Sequence, residues 1–133
     1  MNWGRILAGG IVSGIVVNLV DFVLHGQVMA NTYKKYDTVF SQTQANPGYF
    51  FAAAILIGIC VATLFAKTRA SWADGWQGGA MFGFFFGLAT FFMNFYNPLV
   101  IADFPYYLSW CWGGIGVIDS VVGGAVLGSI IKR

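Results

Sequence analysis

The stretch GRILAGGIVSGIVVNLVDFVLHG, residues 4–26, decides how this chain is built. A helix needs about 20 mostly apolar residues to cross a lipid bilayer, and this run supplies them. Yet it places Asn18, Asp21 and His25 among valines and leucines, at spacings of 3 and 4 that put them on one helix face. Facing lipid, a carboxylate costs roughly 2.5–3.5 kcal/mol at a helix centre on insertion scales. The polar face is therefore expected to meet protein, and the helix to belong to a bundle. Arg5 is the only charge ahead of the apolar run and no A-x-A-like site follows, so a permanent span is read rather than a signal peptide.

The rest of the chain repeats the theme. It is 58% hydrophobic and 9% charged, where soluble domains carry about 25% charged residues. Spans are expected at about 4–24, 49–66, 75–95 and 106–131, the last interrupted only by Asp119. They do not alternate as barrel strands do. The expected fold is all-α: a polytopic four-helix bundle forming one transmembrane domain, residues 1–133. Arg5, Lys67, Arg69, Lys132 and Arg133 fall on one side and Lys34 and Lys35 on the other. The positive-inside rule then places both termini in the cytoplasm, with a bacterial inner membrane as the expected location. Trp3, Trp72 and Trp76 mark the inner interface in this reading; Tyr49, Tyr106, Tyr107, Trp110 and Trp112 mark the outer one. Basic clusters interleaved with aromatics are missing, which excludes nucleic acid as a partner. Cys60 and Cys111 sit in apolar runs at different expected depths and read as small packing residues rather than a disulfide or metal pair.

The connections differ in kind. Residues 67–74 form a short polar turn, and NPLVIADFP (97–105) is short, apolar and bracketed by prolines. The long connection, residues 25–48, repeats Met29, Tyr33, Tyr36 and Phe40 with Asn31, Lys34, Lys35 and Asp37 between. That pattern predicts a short amphipathic helix at about 28–40 lying on the membrane surface and ended by QTQANPG (42–48), with a lid over the bundle as the competing reading.

Moving the first span by 69 residues lays Gly10 on Gly79, Gly14 on Gly83, Asn18 on Gly87, Asp21 on Thr90 and His25 on Asn94. Spans two and four match more weakly, Ala54 with Gly124 and Gly58 with Gly128. Two pseudo-repeated helical hairpins, 1–69 and 70–133, are the expected architecture. Lipid offers helices little hydrophobic drive to associate, so small residues that let backbones approach become the contact surfaces. Gly10, Gly14 and Asn18 form one ladder; Gly79, Gly83 and Gly87 a second; Gly116, Ser120, Gly124 and Gly128 a third.

Six polar residues are candidates for a path through the bundle: Asn18, Asp21, His25, Thr90, Asn94 and Asp119. Asp119 falls near the middle of its span with no intramembrane Lys or Arg to neutralise it, and an intramembrane carboxylate marks a functional site by default. Its ionised form needs water or a bound cation; its protonated form can serve as glue between helices. Asp21, His25 and Asn94 are expected at the outer mouth, with Asp119 about 10 Å deeper at 1.5 Å per residue. One histidine and one aspartate are too few for a zinc site in a single chain, and no cofactor motif appears. The chain has no glutamate, no nucleophile elbow and no P-loop, so an enzyme is not expected.

GLATFF at residues 87–92 is similar to a stretch of the small dual-topology fluoride channels. The similarity covers those six residues only. Span two lacks the asparagine and span three the serine that those channels carry, and the charge bias opposes dual topology, so no residue role is transferred. Two function classes remain. One is an oligomeric transporter or channel for a proton, cation or small solute. The other is a non-catalytic subunit that packs against partner membrane proteins and contacts lipid or pigment.

Overall fold

A computed structural model describes residues 2–40 and 46–132. Arg133 and most of the expected QTQANPG stop lie outside the described residues. The described residues form helices α1 (Trp3–Val23), α2 (Ala30–Lys35), α3 (Pro47–Thr68), α4 (Gly75–Phe91), α5 (Asn97–Val100) and α6 (Tyr106–Ile130), with no strand among them. A wide π turn over Leu24–Val28 prolongs α1, and a tight 3-10 stretch over Phe92–Tyr96 joins α4 to α5. Four continuous helical stretches are long and apolar enough to cross a membrane: Trp3–Val28, Pro47–Ser71, Gly75–Val100 and Tyr106–Ile130. The first runs beyond the expected stop near Leu24, because the helix widens there instead of ending.

Local signals set the ends. Asn2 accepts a hydrogen bond from the Arg5 amide, and Asn46 accepts one from Gly48 ahead of Pro47 in the first turn of α3. These are side-chain N-caps satisfying otherwise orphaned amides. Gly75 opens α4 with φ +80, a left-handed conformation that favours glycine at the sharp exit from the 69–74 turn. The start of α1, the end of α6 and that turn lie at one end of the molecule, the terminal end. The described residues 24–40 and the connection 92–105 lie at the far end.

α1 packs along α3 and α4 along α6, and the two hairpins meet mainly through α1 against α6. Within each hairpin, glycine lets backbone touch backbone. A Cβ added at Gly14 would fall 2.6 Å from the Ala54 carbonyl oxygen, and one at Gly10 would fall 2.6 Å from the Ile59 Cα. A Cβ at Gly124 would come within 2.9 Å of the Gly83 Cα, and one at Gly128 within 2.9 Å of the Gly79 Cα. One at Gly87 would meet the Val117 Cα at 2.8 Å and the Ser120 side chain. Gly116 departs from the expected third ladder: a Cβ there would meet nothing within 4 Å. Between hairpins, the buried Ser13 hydroxyl donates to the Gly123 carbonyl at 3.1 Å, a bond worth about 0.6 and at most about 1.7 kcal/mol in membrane helices.

Two apolar clusters finish the packing. At the terminal end Ile6, Ala62, Phe65, Phe82, Leu127 and Ile131 are buried together. Trp72, expected in an interfacial belt, packs edge-on against Phe82 in that cluster. Arg69 is also turned inward and is only 6% exposed. Its Nε donates to the Ile131 carbonyl at 2.9 Å, its Nη1 to the Trp72 and Ala73 carbonyls, and its Nη2 to Asp74 at 2.8 Å. It thus ties the turn between α3 and α4 to the carbonyl end of α6, where a cation complements the helix dipole. At the far end Met29, Phe104, Leu108 and Ile115 form the second cluster.

Candidate functional site

Beside the far-end cluster, with Ile115 common to both, lies an open cleft of about 350 Å³. Asp21 and His25 reach it from α1, Asn94 from the 3-10 stretch after α4, and Trp112, Gly116 and Asp119 from α6. Each position has a local cause. Asp21 and His25 are i, i+4 neighbours on one face. The π turn carries His25, and such a widened turn is a common feature of functional sites. Glycine at 116 leaves the space that the cleft occupies.

A chain of polar contacts crosses the cleft mouth. Trp112 Nε1 donates to the Tyr33 hydroxyl at 2.8 Å. Tyr33 is also hydrogen-bonded to His25 Nδ1. An indole N–H can only donate, so the phenol oxygen accepts from Trp112, and its own proton can go to Nδ1 wherever that nitrogen is unprotonated. Burial pushes the Tyr33 phenol above its ordinary range, against the opposing pull of the Trp112 bond, so that proton is retained at neutral pH. With the phenol donating to Nδ1, a neutral His25 carries its proton on Nε2, the nitrogen facing Asp21. Nε2 stands 3.6 Å from Asp21 Oδ1, an ion-pair separation rather than a hydrogen bond. The Tyr33 and His25 rings stack, while Phe40 and Phe104 pack around Trp112.

Asp119 closes the series. It is 8% exposed, and its Oδ1 is buried with no hydrogen-bond partner among the described residues. The Asp21 carboxyl lines the same cleft. Exposure falls along the row, from 44% for the Asp21 side chain and 34% for that of His25 to the buried Asp119. Two carboxyls that share a cleft can bind one proton or one cation when they approach. Among the described residues no group of three His, Cys, Asp or Glu side chains is placed to hold a metal ion.

Of the six polar candidates, Asp21, His25, Asn94 and Asp119 border one cleft, more compactly than the graded line expected from the sequence. Asn18 and Thr90 do not line it. Thr90 turns its hydroxyl back onto the Phe86 and Gly87 carbonyls of its own helix. Asn94 uses its side chain on the Phe91 carbonyl, and its backbone carbonyl accepts from the buried Ser109. Tyr33 and Trp112 belong to the site although their sequence context reads as surface helix and interfacial belt. The available signal was weak: a tyrosine on the apolar face of the far-end segment, eight residues after the chain's one histidine. Comparison with protein-family models, with curated proteins and with solved structures finds no match. What stands is an all-helical bundle with four helices suited to a membrane and a polar cleft between them.

Proposed function

We propose that the chain is a membrane-embedded carrier or channel for a proton or small cation, with Asp119 as the binding group and Asp21 and His25 as its entry. The observation that carries this reading is that Asp21 and the buried Asp119 both line one cleft of a protein otherwise suited to lipid. Burying a carboxyl there costs stability, and a hydrophobic residue would pack at lower cost. In this reading the far end faces outward, the termini face the cytoplasm of a bacterial cell, and several copies assemble. The α2 segment lies at the outer surface as a lid. The paired contacts Gly10–Gly58 and Gly14–Ala54 in one hairpin, Gly79–Gly128 and Gly83–Gly124 in the other, support two repeated halves, since each pair occupies matching sequence positions.

The test is flux in liposomes under a proton or cation gradient, comparing the intact protein with Asp119→Asn and checking the assembly state of both. Asp119→Asn is expected to fold and assemble like the parent and to fall to the protein-free baseline. The competing reading is an accessory subunit that packs against partner helices. It predicts no flux from either protein, reduced assembly of Asp119→Asn, and a partner co-purifying from native membranes.

A further inference from the structure

A second cavity, of about 450 Å³, lies at the opposite end of the bundle, between the start of α1, the end of α3 and the end of α6. Four cationic residues line it: Arg5, Lys67, Arg69 and Lys132. No carboxylate does, among the described residues. Asp74 is the one acidic side chain in the terminal-end segments, and it is bound to Arg69. Arg69 is therefore a fixed wall, its charge matched. Arg5, Lys67 and Lys132 make no ion pair among the described residues and are exposed. Like charges converging on a cavity repel one another unless an anion sits among them. The amino end of α1 opens beside them and adds the positive pole of a 21-residue helix.

Apart from Asn2, the rest of the lining is apolar, with Ile6, Ala66, Ala70 and Ile131 contributing. Cations above an apolar wall, at the end of helices suited to a membrane, match a headgroup with its acyl chains attached. Basic pockets between spanning helices hold anionic lipid headgroups by this combination. We infer that this cavity binds the phosphate of an anionic phospholipid, with Arg5, Lys67 and Lys132 as its ligating cations and Arg69 as the rigid support. The shared chemistry is a phosphate group; the apolar wall distinguishes a lipid from free phosphate.

The test is the thermal stability of the full chain in mild detergent, titrated separately with phosphatidylglycerol, phosphatidylcholine and inorganic phosphate. Phosphatidylglycerol is expected to raise the Tm saturably, with no comparable effect of the other two. The double variant Lys67→Gln/Lys132→Gln removes two exposed charges. At about 1 kcal/mol per basic residue, its half-saturation is expected roughly thirtyfold higher. Lys67→Arg/Lys132→Arg keeps the charges and is expected to retain the response, which separates lost charge from damaged packing. Equal shifts with phosphatidylcholine, or an undiminished response in the Gln variant, would overturn the site. A saturable shift from inorganic phosphate matching that from the lipid would overturn the lipid as its occupant.

Discussion

Helix α6 uses glycine in two opposite ways along its length. Toward the terminal end, Gly124 and Gly128 press onto the backbone of α4, and no atom could be added without moving a helix. Toward the far end, Gly114 and Gly116 face open space, and Gly116 borders the polar cleft. One half of the molecule is closed by the absence of side chains, and the other is held open by it. A glycine ladder read along a sequence has one meaning only while a neighbouring helix runs beside it. Where the helices part, the same residue borders the open cleft that Asp21 and Asp119 share.

The strongest way to break that comparison is to fill both kinds of position. Gly124→Leu puts a branched side chain where even a Cβ would lie 2.9 Å from the Gly83 Cα. Backbone cannot yield as a side chain can, so the expected loss exceeds about 4 kcal/mol, the range of severe core mutations. Little folded protein should survive extraction into detergent. Gly116→Ala meets no atom within 4 Å and should change stability by no more than about 1 kcal/mol, with helix propensity favouring alanine. Comparable melting temperatures for the two variants would show that α4 and α6 do not touch as described.

The two ends also treat charge differently. At the far end, charged groups border a cleft and the Asp119 Oδ1 has no hydrogen-bond partner among the described residues; at the terminal end, Arg69 makes four hydrogen bonds. Arg69→Gln removes contacts to the Ile131, Trp72 and Ala73 carbonyls and the bond to Asp74. Hydrogen bonds to a charged group contribute about 1.5–3 kcal/mol each, but glutamine regains part and Asp74 is exposed to solvent. A net loss of about 2–4 kcal/mol is expected, read as a lower melting temperature with flux unchanged in the surviving protein. If flux falls while melting does not, the terminal end takes part in transport and the division of labour is wrong.

Sequence alone made the spanning helices legible, because hydropathy is summed over neighbours in the chain and needs no knowledge of partners. The small residues at 10, 14, 79, 83, 124 and 128 were legible for a similar reason: in lipid they have few other uses. Arg69 was not. An arginine just past an apolar helix reads as a topological charge, and nothing local says that the end of α6 will lie beside it, 62 residues later in the chain. Tyr33 and Trp112 were missed for the same reason, since their hydrogen bond spans 79 residues. The burial of Asp119 followed from its place in an apolar run. Its sharing a cleft with Asp21 did not, because that depends on how far α1 and α6 have separated at their depth.

The smallest expected effect sharpens the comparison most, because it tests the polar network without disturbing packing. Tyr33→Phe keeps the ring that stacks on His25 and meets Phe40, and removes only the hydroxyl. Trp112 loses its acceptor and His25 Nδ1 its donor, at a cost of about 1–2 kcal/mol that mobile water at the cleft mouth can partly offset. Melting should therefore shift little. The tautomer should shift clearly. With the hydroxyl in place, nitrogen-15 spectra of neutral His25 should show the proton on Nε2, facing Asp21; without it, the two tautomers should mix. If Nε2 keeps the proton in Tyr33→Phe, Asp21 alone orients the imidazole, and the aromatic residues beside the cleft do not govern which way the histidine presents its proton.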